Sequence, residues 1–198
     1  MITRLAILTG VALLCAACAR PLDPPVPSAA FAAYGIRSVA VGPVAYATHQ
    51  PNEQCSTFID EDLRSALVRE LRRRGYDAFT VGNSVPRSFA AGSPAPLPGE
   101  PPPVGPVPSP GVQGLLSVWI EEYWENSLCG WEGPKYLTMG AVAVLYAGSP
   151  PAEVWRGRAR AAEQGGYPAR ELMWLTTSRV TDGLLQTLPA AQGWQRPP

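Results

Sequence analysis

Lysine is almost missing from this chain of 198 residues: Lys135 stands alone, and arginine supplies the rest of the 16 basic residues that balance 16 acidic ones. A chain with no net charge lacks the overall field that draws nucleic acid, so no nucleic-acid partner is expected. Histidine is reduced to His49, in a polar stretch before Pro51. One histidine cannot make a histidine-rich metal site, and with no serine or cysteine motif beside it nothing marks it as a catalytic base. Gly-x-Ser-x-Gly, the phosphate loop and the dinucleotide fingerprint are absent as well. The chain therefore reads as non-enzymatic, with no cofactor and no metal.

What is present is apolar content. Hydrophobic residues make up 46% of the chain, beside 19 glycines and 23 prolines. That is too apolar for a disordered chain, and the length fits one packed domain. Residues 1–17 read as a signal peptide, with Arg4 at its start and an apolar stretch from Leu5 to Leu14 broken by Thr9 and Gly10. The stretch is too short for a transmembrane helix. Leu14-Cys15-Ala16-Ala17-Cys18 resembles a bacterial lipobox, departing from it in Cys15, where leucine is preferred. The resemblance implies lipidation of Cys18. Ala19 in place of aspartate then implies the outer membrane, at its periplasmic face. The alternative is ordinary cleavage near Ala17 or Ala19. Past the leader only Cys55 and Cys129 remain, either as a disulfide or as two separate buried thiols.

Residues 18–33 read as anchor and proline-rich tether, because Pro21, Pro24, Pro25 and Pro27 favour an extended chain. Ile36 to Val41 reads as a strand stopped by Gly42-Pro43. Thr57 to Arg74 reads as a helix, from the stripe Ile59, Leu63, Leu67 and Leu71. Ser56 or Thr57 is its expected cap, and the acidic run at its start and the arginine run at its end suit the helix dipole. Tyr76 to Val81 reads as a second strand, parallel to the first. Residues 82–110 hold ten prolines and four glycines and read as a surface loop. Three strands follow, Leu115 to Trp124, Tyr136 to Tyr146 and Glu153 to Ala162. The middle one is apolar on both faces and is expected at the centre of the sheet. A helix from Arg170 to Leu188 closes the domain, and 189–198 reads as a flexible tail. The fold class is α/β (α+β): one domain, 34–188, with a mixed five-stranded sheet and helices packed on it.

One cluster invites a binding reading. Arg156, Arg158 and Arg160 alternate along a strand and share a face, which Glu121 on a neighbouring strand can neutralise. With Trp119 and Trp155 they form a candidate face for a glycan, a lipid headgroup or a protein; the same tryptophans equally suit a small core. Glu121, Glu122 and Glu125 offer carboxylates, but strict alternation sends Glu121 and Glu122 to opposite faces, where they cannot flank one bond.

The run Arg37-Ser38-Val39-Ala40-Val41-Gly42-Pro43, the helix Leu63 to Leu71, Gly75-Tyr76, Gly111 to Leu116 and Ala152 to Gly157 together resemble a known group. These are bacterial outer-membrane lipoproteins of unknown function whose periplasmic domain looks like the amino-terminal domain of TolB, among them the curli-secretion lipoprotein. The resemblance spans most of residues 34–188. It implies a lipid-anchored accessory subunit of an envelope complex, with a protein partner and the capacity to form homo-oligomers. The alternatives are a glycan- or lipid-binding module and an activator of a cell-wall synthase. Residues 82–110 depart from the group, which places a helix there.

Overall fold

A computed structural model describes residues 28–46, 58–81, 111–126, 135–166, 168–191 and 193. The elements are α1 (Ser28–Tyr34), β1 (Ser38–Tyr46), α2 (Ile59–Arg73), β2 (Asp77–Thr80), β3 (Gly114–Asn126), β4 (Lys135–Ala147), β5 (Ala152–Gly165) and α3 (Ala169–Leu185). The strands form one mixed sheet in the order β2-β1-β3-β4-β5. β1 is parallel to both β2 and β3, and the remaining pairs are antiparallel. The expected mixed five-stranded sheet with helices packed on it is what the chain forms.

The crossover from β1 through α2 to β2 follows its sequence signals. Ile59, Leu63, Leu67 and Leu71 of α2 are buried against the sheet. Gly75 ends the helix with φ 87°, a value that suits glycine, while its amide donates to the Arg72 carbonyl and the Tyr76 amide reaches back to Leu71. The start differs from expectation. The capping residue is Phe58, with no side-chain hydrogen bond, and the acidic run Asp60, Glu61 and Asp62 faces the positive helix end; Ser56 and Thr57 lie outside the described residues.

β1 also differs, because Gly42-Pro43 does not stop it. The strand runs to Tyr46, with a register shift between Val41 and Val44 that takes up the extra residue. Among the described residues the last main-chain contact on the β2 side is the Val81 amide on the Val41 carbonyl. The proline's missing amide therefore removes no ladder bond on that side. Residues 28–33, assigned above to the tether, belong to the domain: they lie in α1, and Phe31 is buried in the core. Part of the expected tail is tied down too. Arg74 donates to the Leu188 carbonyl, the Tyr76 hydroxyl to the Pro189 carbonyl, and the Ala191 amide to the Arg74 carbonyl.

β3, not β4, is the middle strand, because it accepts β1 on one side and β4 on the other. β4 is nevertheless interior and buried on both faces, as its composition requires. Leu137, Met139, Ala141, Ala143 and Leu145 join the main core under α2 and α3, while Val142, Val144 and Tyr146 join a smaller cluster on the opposite face.

α3 lies very close to β5. A Cβ on Gly157 would sit 2.2 Å from the Leu184 carbonyl oxygen and 2.6 Å from the Trp155 ring. Gly157→Ala is expected to lower unfolding free energy by about 2–4 kcal/mol in urea titration, since backbone must move. Gly166→Ala, where the added methyl meets nothing within 4 Å, is the control. Equal midpoints for the two variants would contradict the close packing.

Candidate functional site

Alternation along β5 places Arg156, Arg158 and Arg160 on one face, the one opposite α2 and α3, and turns Trp155 the other way. Trp155 is 1% exposed in the main core, and its indole N–H donates to the Thr187 hydroxyl at 3.3 Å. It takes no part in the arginine face. Trp119 does: it is buried on that face with Val142, Val144 and Tyr146. The Arg156 guanidinium lies 6.0 Å from its ring centroid, within cation–π range. The structure thus brings four of the five candidate residues together and separates the fifth.

Each arginine holds a carboxylate. Arg156 is bidentate to Glu153, with Nε and Nη2 at 3.0 and 2.8 Å. Arg158 meets Glu121 at 2.6 Å, and Arg160 is bidentate to Glu122 at 2.7 and 2.9 Å. The last two pairs correct the expectation that Glu121 and Glu122 face opposite ways. Ile120 pairs with Ala141 and Glu122 with Gly140, leaving Glu121 as the extra residue of a bulge. A bulge interrupts strict alternation, and both carboxylates reach the arginine face. Gly140 lies between Glu122 and Arg160 across the three strands. Having no side chain, it leaves room for the two to meet; a Cβ there would be 3.2 Å from that of Glu122.

A second bulge does the same on β5. Leu145 pairs with Trp155 and Tyr146 with Glu153, so Val154 is extra. Val154 and Trp155 both enter the main core, and Glu153 stays with Arg156. Burial, with Glu153 next, pushes the Tyr146 hydroxyl above its ordinary value. That hydroxyl is buried with no partner among the described residues. Hydrogen bonds from Arg160 hold the Glu122 carboxyl below its ordinary 4.5.

Chemically this is a neutralised patch, three guanidiniums matched by three carboxylates, two of the pairs linking β5 to β3 across β4. Among the described residues no group of three His, Cys, Asp or Glu side chains could hold a metal. Cys18, Cys55, Cys129, His49 and Trp131 lie outside the described residues. One feature escaped sequence reasoning: Ser65, Val68, Arg69, Arg72 and Arg73 of α2 line a groove with Phe79 and Thr80 of β2. The arginine run suits helix-end chemistry ahead of a binding site, and the helical spacing of 65, 68, 69, 72 and 73 is the signal that one face carries them.

The pairs differ in burial, which sets their expected contributions. The Glu121 side chain is 11% exposed and that of Glu122 46%, so Arg158→Ala is expected to cost more than Arg160→Ala, which in an exposed pair costs about 0.5 kcal/mol or less. Chemical denaturation reads both, and the reverse order would refute the burial argument. A carboxyl depressed on folding contributes stability above its unfolded value and loses it as pH falls through the folded one. Glu122→Gln is therefore expected to flatten the stability profile below pH 4.5 and leave it unchanged at neutral pH apart from the lost ion pair. Superimposable acid limbs would show that the pair contributes nothing.

No family model and no curated protein matches the sequence. Among solved structures the chain is similar to the PelC dodecamer from Paraburkholderia phytofirmans, at 16% identity over 83% of this chain and 96% of that one, with a TM-score of 0.46. It is also similar to lipoprotein GNA1162 from Neisseria meningitidis, at 15% identity over 76% of this chain and 99% of that one, TM-score 0.43. A third likeness is to protein XCC0632 from Xanthomonas campestris, at 11% identity over 74% and 79%, TM-score 0.44.

Proposed function

We propose that the chain is a lipid-anchored, non-enzymatic protein of the bacterial envelope, serving as an accessory or assembly subunit at the periplasmic face of the outer membrane. The observation that carries this reading is the junction between anchor and domain. The leader-like segment ends in Leu14-Cys15-Ala16-Ala17-Cys18, the prolines of residues 19–27 follow, and α1 then buries Phe31 in the core. A domain joined so closely to an acylated cysteine is held at the membrane, because several acyl chains anchor a protein stably at about 0.8 kcal/mol per buried methylene. Among the described residues no helix is long and apolar enough to cross a membrane, so the lipid is the membrane attachment this reading requires.

The TolB-like resemblance of Arg37 to Pro43 and Ala152 to Gly157 supports a role as a docking domain with a protein partner. A glycan- or lipid-binding module draws less support, because Arg156, Arg158 and Arg160 each hold a glutamate and Trp155 lies in the core. Activation of a cell-wall synthase rests on the resemblance alone.

Two measurements test the proposal together. Intact-mass analysis of the membrane-extracted protein is expected to show a lipidated Cys18, and pull-down a stoichiometric envelope protein. Cys18→Ala is expected to move the chain from the membrane to the soluble periplasmic fraction. An unmodified amino terminus with no protein partner would overturn the reading.

A further inference from the structure

We propose that the groove between α2 and β2 takes an extended acidic peptide segment, added to the sheet as a strand beside β2, with Arg72 guarding the edge. The proposal stands apart from lipidation, since it concerns a surface of the domain alone.

The groove measures about 700 Å³, with a helix face on one side and an edge strand on the other. The Asp77 amide donates to the Arg37 carbonyl and the Val81 amide to the Val41 carbonyl. In a parallel pair alternate residues face the partner strand, so Ala78 and Thr80 turn their main-chain groups outward. Among the described residues no strand pairs with this side of β2, and an edge beside a helix is the geometry in which an extended peptide joins a sheet, main-chain bonds giving affinity and neighbouring side chains giving selectivity.

Charge names the occupant. Among the described residues the groove lining includes Arg69, Arg72 and Arg73 and no acidic side chain. Arg73 is tied to Glu70, but its side chain is 72% exposed. Arg69 has no ion-pair partner among the described residues. Arg72 donates from Nε to the Ala78 carbonyl at 2.8 Å, and so covers an acceptor that an added strand would need. A neutral strand replaces that donor with its own amide but offers the displaced guanidinium only an uncharged acceptor. A strand bearing carboxylates offers the guanidinium a charge-assisted partner in exchange, which makes the edge selective for acidic segments.

Fluorescence anisotropy on the full-length chain in detergent tests this with a labelled peptide of alternating Asp and Val, and with its Asn-Val counterpart. The acidic peptide is expected to bind at least about tenfold more tightly than the amide one, and less tightly as salt rises. N-methylation of alternate acidic-peptide amides keeps the charge, removes the ladder donors and is expected to abolish binding. The double variant Arg69→Ala, Arg73→Ala is expected to lose acidic-peptide binding while unfolding at the wild-type temperature. Arg72→Ala is expected to admit the amide peptide, so that the preference shrinks. Equal binding of the two peptides to the native chain would overturn the proposal. So would full binding of the N-methylated peptide, or displacement by inorganic phosphate as effective as by unlabelled peptide at equal charge, either of which would make the groove a simple anion patch.

Discussion

The helical layer depends on one close approach, that of α3 to β5. Gly157 lies against the Leu184 carbonyl, Gly183 against the Ala159 methyl, and Trp155 fills the space beside them. Any side chain at Gly157 would lift the end of α3 from the sheet. The contacts beyond it would follow: the Trp155 bond to Thr187, then Leu188 and Pro189 on Arg74 and Tyr76. Through these the last helix is keyed to the first crossover, and α2 is held by an element far away in sequence.

The opposite face is governed by bulges. Each inserts one residue and reverses the alternation beyond it. The bulge at Glu121 puts two consecutive glutamates within reach of Arg158 and Arg160, and the one at Val154 gives the core Val154 and Trp155 while leaving Glu153 to Arg156. The resulting ion pairs are partly exposed, so they contribute little stability each. Two of them also act geometrically, because Arg158–Glu121 and Arg160–Glu122 link β5 to β3 across β4.

Sequence periodicity made β4, α2 and α3 legible, since their apolar residues repeat at the spacing that burial demands. α1 was not legible: its seven residues, mostly alanine, follow a proline run and carry one large apolar side chain, Phe31. A helix that short draws its stability from docking, which no local pattern records. β1 was cut short at Gly42-Pro43 because proline usually ends a strand, whereas here, among the described residues, the last contact with β2 comes before it. Glu121 and Glu122 were sent to opposite faces because a bulge is a property of pairing between strands. The arginine face itself was readable from alternation, but the groove beside β2 required knowing which edge lies next to which helix face.

The strap from Leu188 to Ala191 also bears on the order in which the domain can be completed. Its anchor points, Arg74 and Tyr76, lie more than a hundred residues earlier, so the amino-terminal crossover stays without its final contacts until the end of the chain is available. Contacts that distant close late, because loop-closure entropy precedes any gain from them.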